Sequence, residues 1–292
     1  MFERGKSREW PLVVFTMTLQ LACAFALVAA LSDFKAAVVE AEFVRPLGIA
    51  IFPLLMGGIL ASCLHLGQPF SAWKSLLNLS HSRLSLEILL TLLFAVCALV
   101  NSVSWMTGRT EFRVLLDMGT FLFGLAAVVS SAAVYMVDTQ PMWNSGWLPT
   151  SFLGTMLLLA GAAGAVCASS ANAHALLPWF LDLAIAGGLL SCLSALWMRN
   201  LFLRLSNAKT VFVNLPEWPD RRNLGPWLSF GLWVLLAGVL PVAVAILLML
   251  FGNSPAQTSA FQFAPSAIVL ILAGGALGRR LMYWMGTALS RF

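Results

Sequence analysis

The sequence predicts an all-α polytopic membrane protein, a bundle of about eight transmembrane helices. Three observations carry that prediction. Hydrophobic residues make up 60% of the 292 residues and charged residues only 10%, whereas soluble domains carry about a quarter charged residues. Apolar runs of roughly 20 residues, long enough for a helix to cross about 30 Å of hydrocarbon, recur about eight times. Eleven Trp and twenty Phe stand against two Tyr, and aromatic rings collect at bilayer interfaces and in packed interiors.

The first run, 10–32, exceeds the roughly 7 to 15 apolar residues of a signal peptide, so it reads as a retained span. The second, 45–66, is closed by Gly67 and Pro69, both ready helix terminators. The third and fourth, 84–106 and 114–137, are separated by the polar stretch 107–113, which one long helix would have to bury. Two helices are therefore expected. The fifth and sixth, 149–169 and 176–199, are divided by the small and polar stretch 169–175, with Pro178 suited to a first helical turn. The connection 200–225 is the longest and most polar, with Arg204, Lys209, Arg221, Arg222, Pro216 and Pro219. The seventh and eighth spans follow at 226–251 and 263–286. No connection has room for a soluble catalytic domain. Residues 1–292 therefore read as one integral membrane domain, and any chemistry belongs to the helices or to a separate subunit. Gly161 with Gly164, and Gly274 with Gly278, predict close helix contacts.

The formal net charge is +5. The basic residues sit in connections and form no basic face on a folded domain, which excludes a nucleic-acid partner. The side with the N-terminus, the even-numbered connections and the C-terminal tail holds roughly 11 Lys and Arg against about 4 opposite. By the positive-inside rule both termini are then cytoplasmic, although such a surface also suits an acidic docking partner. Cys23, Cys63, Cys97, Cys167 and Cys192 lie singly in apolar runs and read as packing residues. Nucleophile-elbow, Walker and dinucleotide motifs are absent from the sequence.

The chemistry concentrates at two residues. His65 closes the second run in Ala61-Ser-Cys-Leu-His65-Leu-Gly-Gln-Pro69, and Glu87 stands just inside the third in Arg83-Leu-Ser-Leu-Glu87. Ionisable groups at the edge of a span are costly and usually functional, and these two fall on the same bilayer face with Trp73 between them. A plainer reading makes His65 a helix C-terminal cap and Glu87 a first-turn carboxylate paired with Arg83. His81 and His174 lie in connections without a span-embedded partner, so bis-histidine haem is not expected, and no cluster has metal-ligand spacing. Asp182 reads as an interface or cap residue. In a proton-coupled transporter, Glu87 and Asp182 would act together, and Pro53, Gly57, Gly58 and Pro241 would mark broken helices. A purely structural anchor is the third reading.

Taken in order, Glu9-Trp-Pro-Leu12, Leu64-His-Leu-Gly67 with Pro69, Leu84-Ser85 with Glu87-Ile88, Asp138-Thr139 with Pro141 and Trp143, and Leu272-Ala-Gly274 with Gly278-Arg279 resemble the DmsC-like membrane anchor subunits of the dimethyl sulfoxide reductase family. These belong to heterotrimeric molybdopterin oxidoreductases. The resemblance implies an eight-helix, haem-free subunit of the bacterial inner membrane that binds and oxidises menaquinol. It also implies a four-cluster, ferredoxin-like iron–sulfur partner and a molybdopterin catalytic partner. The family's histidine and glutamate at the quinol map onto His65 and Glu87. That agrees with their chemistry, because quinol oxidation releases protons and histidine titrates near neutral pH. Arg83 and Trp73 are expected at the pocket mouth, and on the resemblance alone Trp10 and Arg279 approach it. Two features depart from the family: the charge bias that favours cytoplasmic termini, and Ala276, which stands where a carboxylate is expected.

Overall fold

The computed structural model describes residues 10–35, 40–64, 79, 82–109, 111–171, 173, 175–212, 224–250 and 264–290. The helices are α1 (Trp10–Lys35), α2 (Arg45–Cys63), α3 (Arg83–Thr107), α4 (Arg113–Tyr135), α5 (Trp147–Ser170), α6 (Leu177–Phe212), α7 (Leu224–Val234), α8 (Leu240–Leu250) and α9 (Ala264–Ser290). A short 3-10 turn, Glu40–Val44, precedes α2, and a π turn, Leu235–Val239, joins α7 to α8 into one span. Among the described residues, eight helical segments are long and apolar enough to cross a membrane. Among the described residues there is no strand, so the expected all-α polytopic class is the one found.

In a bilayer both lipid-facing and protein-facing surfaces are apolar, so small residues decide which helices go inside. Alanine-rich α1 is buried from Phe15 to Ala30 apart from Thr18. It packs against α2, α4, α5 and α9 at the centre of the bundle. The α5–α6 pair meets through glycine: a Cβ on Gly161 would lie 2.3 Å from the Ala184 backbone nitrogen, and one on Gly187 2.3 Å from that of Leu158. Gly274 and Gly278 set α9 against Ala237 and Trp233. By contrast α3 turns Leu92, Leu93, Val96, Leu99, Val100 and Val103 outward. Its buried stripe, Glu87, Thr91, Phe94, Ala98, Asn101 and Trp105, follows the three- and four-residue spacing of one helix face.

The helix boundaries have local causes. Gly108 takes φ +69° and ends α3, a left-handed cap that glycine adopts without strain. The polar stretch after it therefore separates two helices, as expected. Leu177 opens α6 with Pro178 in its first turn. This helix continues to Phe212 instead of stopping at 199, because no glycine or proline interrupts the chain before Pro216. Pro241 lacks the N–H that would bond the Ala237 carbonyl, and the π turn just before it absorbs the mismatch. The second helix runs without a break through Pro53, Gly57 and Gly58, so the pair of broken helices that the transporter reading calls for is not formed.

Alternation of the spans places Trp10, Cys63, Arg83, Tyr135, Trp147 and the end of α9 at one face. Lys35, Arg45, Thr107, Arg113, Ser170 and Leu177 lie at the other. That second face is tied together by Arg113, whose side chain is fully buried. Its Nε and Nη2 donate to Asp33 at 2.8 and 3.2 Å, and its Nη1 donates to Glu42 at 2.6 Å. The guanidinium lies 4.1 Å from the Trp105 ring centroid. Trp105 Nε1 and Asn101 Nδ2 both donate to Asp117 Oδ1, at 3.0 and 2.7 Å. Asp182 is exposed on the outer side of α6.

Candidate functional site

Glu87 is an ionisable residue that the fold carries inward at the first face. Ser82 caps α3 by accepting a hydrogen bond from the Ser85 amide at 3.3 Å, and Glu87 follows one turn in, 8% exposed. The expected partner Arg83 does not pair with it. Arg83 Nη1 instead donates to the carbonyls of Ala133, at 3.2 Å, and Met136, holding the C-terminus of α4 where a cation is favoured. Glu87 forms no ion pair among the described residues. Its carboxyl faces the hydroxyl of fully buried Ser131.

One turn beyond Ser131, Tyr135 continues the same face of α4 and interacts electrostatically with both Glu87 and Arg279. Its hydroxyl meets that of Tyr283 at 2.7 Å. Trp143 stands edge-on to both tyrosine rings, at centroid distances of 6.1 and 6.2 Å, and is itself held by an Nε1 bond to the Met282 carbonyl at 3.0 Å. Arg279 lies inside this cluster, 2% exposed, not at a mouth. Its guanidinium carbon is 3.5 Å from the Phe152 ring centroid, and Nη1 donates to Ser151 Oγ at 3.3 Å. Nε and Nη2 have no hydrogen-bond partner among the described residues. Five segments thus converge at one end of the bundle: the start of α3, the end of α4, residues 136–146, the start of α5 and the end of α9.

Trp10 opens α1 at this face, 54% exposed. His65 directly follows Leu64, which closes α2 at the same face. His65 itself, Trp73, His81 and His174 lie outside the described residues. Tyr135, Tyr283, Ser131 and Ser151 do not stand out in the sequence, because a hydroxyl near a span end reads as an interface residue. The available signal is the tyrosine count, since the protein has two and both are in this cluster. An apolar cavity of about 240 Å³ lies elsewhere, between α5, α6, α8 and α9, lined by residues such as Gly161, Ala184, Pro241 and Leu270. None of its described lining residues is titratable, so the polar chemistry among the described residues stays with the cluster.

Comparison with known proteins agrees with this architecture. The family model described as "DMSO reductase anchor subunit (DmsC)" matches residues 4–285. The C subunit of the anaerobic dimethyl sulfoxide reductase of Escherichia coli (strain K12) is 28% identical over 289 residues, covering 94% of each protein. The YnfH subunit of an anaerobic dimethyl sulfoxide reductase of the same organism is 33% identical over 159 residues, which is 51% of this protein and 54% of that one. With eight helices among the described residues long and apolar enough to cross a membrane, and a family match over residues 4–285, the protein belongs to the DMSO reductase anchor subunit family.

Proposed function

We propose that this multi-pass anchor binds and oxidises menaquinol at the end of the bundle that carries Glu87. It passes the electrons to an iron–sulfur subunit of the four-cluster ferredoxin type, which feeds a molybdopterin catalytic subunit. The setting is anaerobic respiration at the bacterial inner membrane, in keeping with the names of its relatives. The observation that carries this reading is Glu87 itself: a carboxylate in a membrane span, 8% exposed, with no described cation to pair it. Such a group is expensive unless it handles charge or protons.

Quinol oxidation sends two electrons to the partner cluster and two protons to bases. Glu87, at the face where α3 begins, takes one proton, and His65, which follows Leu64 at the end of α2 in the sequence, takes the other. Arg83 secures the end of α4, exposed Trp10 borders the site, and Trp73 is assigned to its mouth by its place in the sequence between His65 and Glu87. Neither transporter feature finds support, since Asp182 faces outward and α2 is unbroken. The test is the pair His65→Arg and Glu87→Lys in the whole membrane complex, with a reduced naphthoquinol as electron donor. Both variants should assemble on the membrane and lose quinol oxidation, while a dye that reduces the catalytic partner directly still supports turnover. Normal quinol oxidation in both would refute the reading and leave a structural anchor.

A further inference from the structure

We propose that Arg279, with the Tyr135–Tyr283 hydroxyl pair, forms an oxyanion-binding pole in the same site, and that it stabilises the singly deprotonated quinol during oxidation. This rests on the quinol reading above and goes beyond it by assigning the second pole and the charge state it recognises.

The energetic position of Arg279 is the starting point. A guanidinium inside the membrane bundle is costly unless it is paired, yet among the described residues no carboxylate pairs it. Ser151 uses one nitrogen. Nε and Nη2 are buried without partners among the described residues, and together they carry three N–H donors. The ring of Phe152 lies under the guanidinium at 3.5 Å and fixes its plane, so the unused donors have a defined direction. Preorganised donors of this kind, buried inside the bundle, match a charge that develops during a reaction.

The tyrosines connect this pole to Glu87. Tyr135 and Tyr283 share a hydrogen bond in which either hydroxyl can donate, and Tyr135 interacts electrostatically with both the Glu87 carboxylate and the Arg279 guanidinium. Trp143 packs against both rings and holds the pair in place. Loss of the first quinol proton to a base leaves a quinolate oxygen beside Arg279. Loss of the second proton and transfer of two electrons, one at a time, to the iron–sulfur cluster of the partner then release the neutral quinone. The pole therefore binds the anion more tightly than either neutral form. That is the condition for lowering the barrier to oxidation.

The test compares two probes on the intact complex in membranes: a hydroxynaphthoquinone that is ionised at neutral pH, and the neutral naphthoquinone of the same ring. Both are measured as inhibitors of naphthoquinol oxidation. Arg279→Gln should weaken the ionised probe by about tenfold or more, the scale of a lost charged hydrogen bond, and leave the neutral probe within about twofold. Arg279→Lys should recover part of the discrimination, and Tyr283→Phe, which keeps the ring packing, should lose a smaller part. Equal weakening of both probes would mean that Arg279 only supports the fold, and no weakening of either would mean that it does not meet the ligand. Either result overturns the proposal. Glu87→Gln, assayed in parallel for turnover, separates the two failures. If it abolishes quinol oxidation while Arg279→Gln is silent, the site stands without this pole; if it too is silent, the quinol reading itself has failed.

Discussion

Replacing Glu87 with Gln keeps the shape, the burial and the contact with Ser131 but removes the proposed proton acceptor. Turnover with a reduced naphthoquinol should fall by about 10²- to 10⁴-fold, the usual contribution of a positioned base. The amount of assembled complex should not change, as checked by immunoblot of washed membranes. At this scale the sequence is informative where a charge interrupts an apolar run, which is why Glu87 and His65 stand out. It is silent where a polar group is unremarkable locally. Tyr135 and Tyr283 are 148 positions apart, and nothing in either neighbourhood indicates that their hydroxyls meet. Arg279 is legible only through the resemblance. Its burial and its two nitrogens without partners among the described residues depend on α4, α5 and α9 closing around it.

At the scale of the helices, packing is set by glycine at a few crossings. Gly161→Leu should prevent α5 and α6 from approaching, because even a Cβ there would lie 2.3 and 2.5 Å from backbone atoms of Ala184 and Phe180. Overpacking typically costs about 1–3 kcal/mol, and a backbone obstacle belongs at the upper end. The expected result is a large drop in thermal unfolding temperature in detergent, whereas Gly57→Ala, with open space around it, should leave that temperature essentially unchanged. The spans themselves are legible, since length and apolarity suffice to recognise a membrane helix. Their ends are less so: α6 passes position 199 to reach Phe212, because leaving the bilayer does not stop a helix that meets no breaker. The π turn at Leu235–Val239 is marked in the sequence only by Pro241.

For the molecule as a whole, the two faces have different tasks. The Glu87 face holds the candidate chemistry, and the Arg113 face joins α1, the 3-10 turn, α3 and α4 through buried charge. Arg113→Met leaves Asp33 buried without its partner, a change that costs about 3–5 kcal/mol in comparable buried pairs. It should lower unfolding temperature and yield strongly, while the complexes that do assemble oxidise naphthoquinol at a near-normal rate, measured per unit of bound anchor. A loss of turnover in assembled complexes would show that the faces are coupled. Read alone, the sequence suffices for the membrane class, the number and order of the spans, and one half of the candidate site, because hydrophobic length and an isolated charge are local properties. Only the tertiary structure brings Ser131, Tyr135, Tyr283 and Arg279 to Glu87 and turns Arg83 away from it. Those relations are set by which small residues let which helices touch, and that choice is made between segments far apart in the sequence.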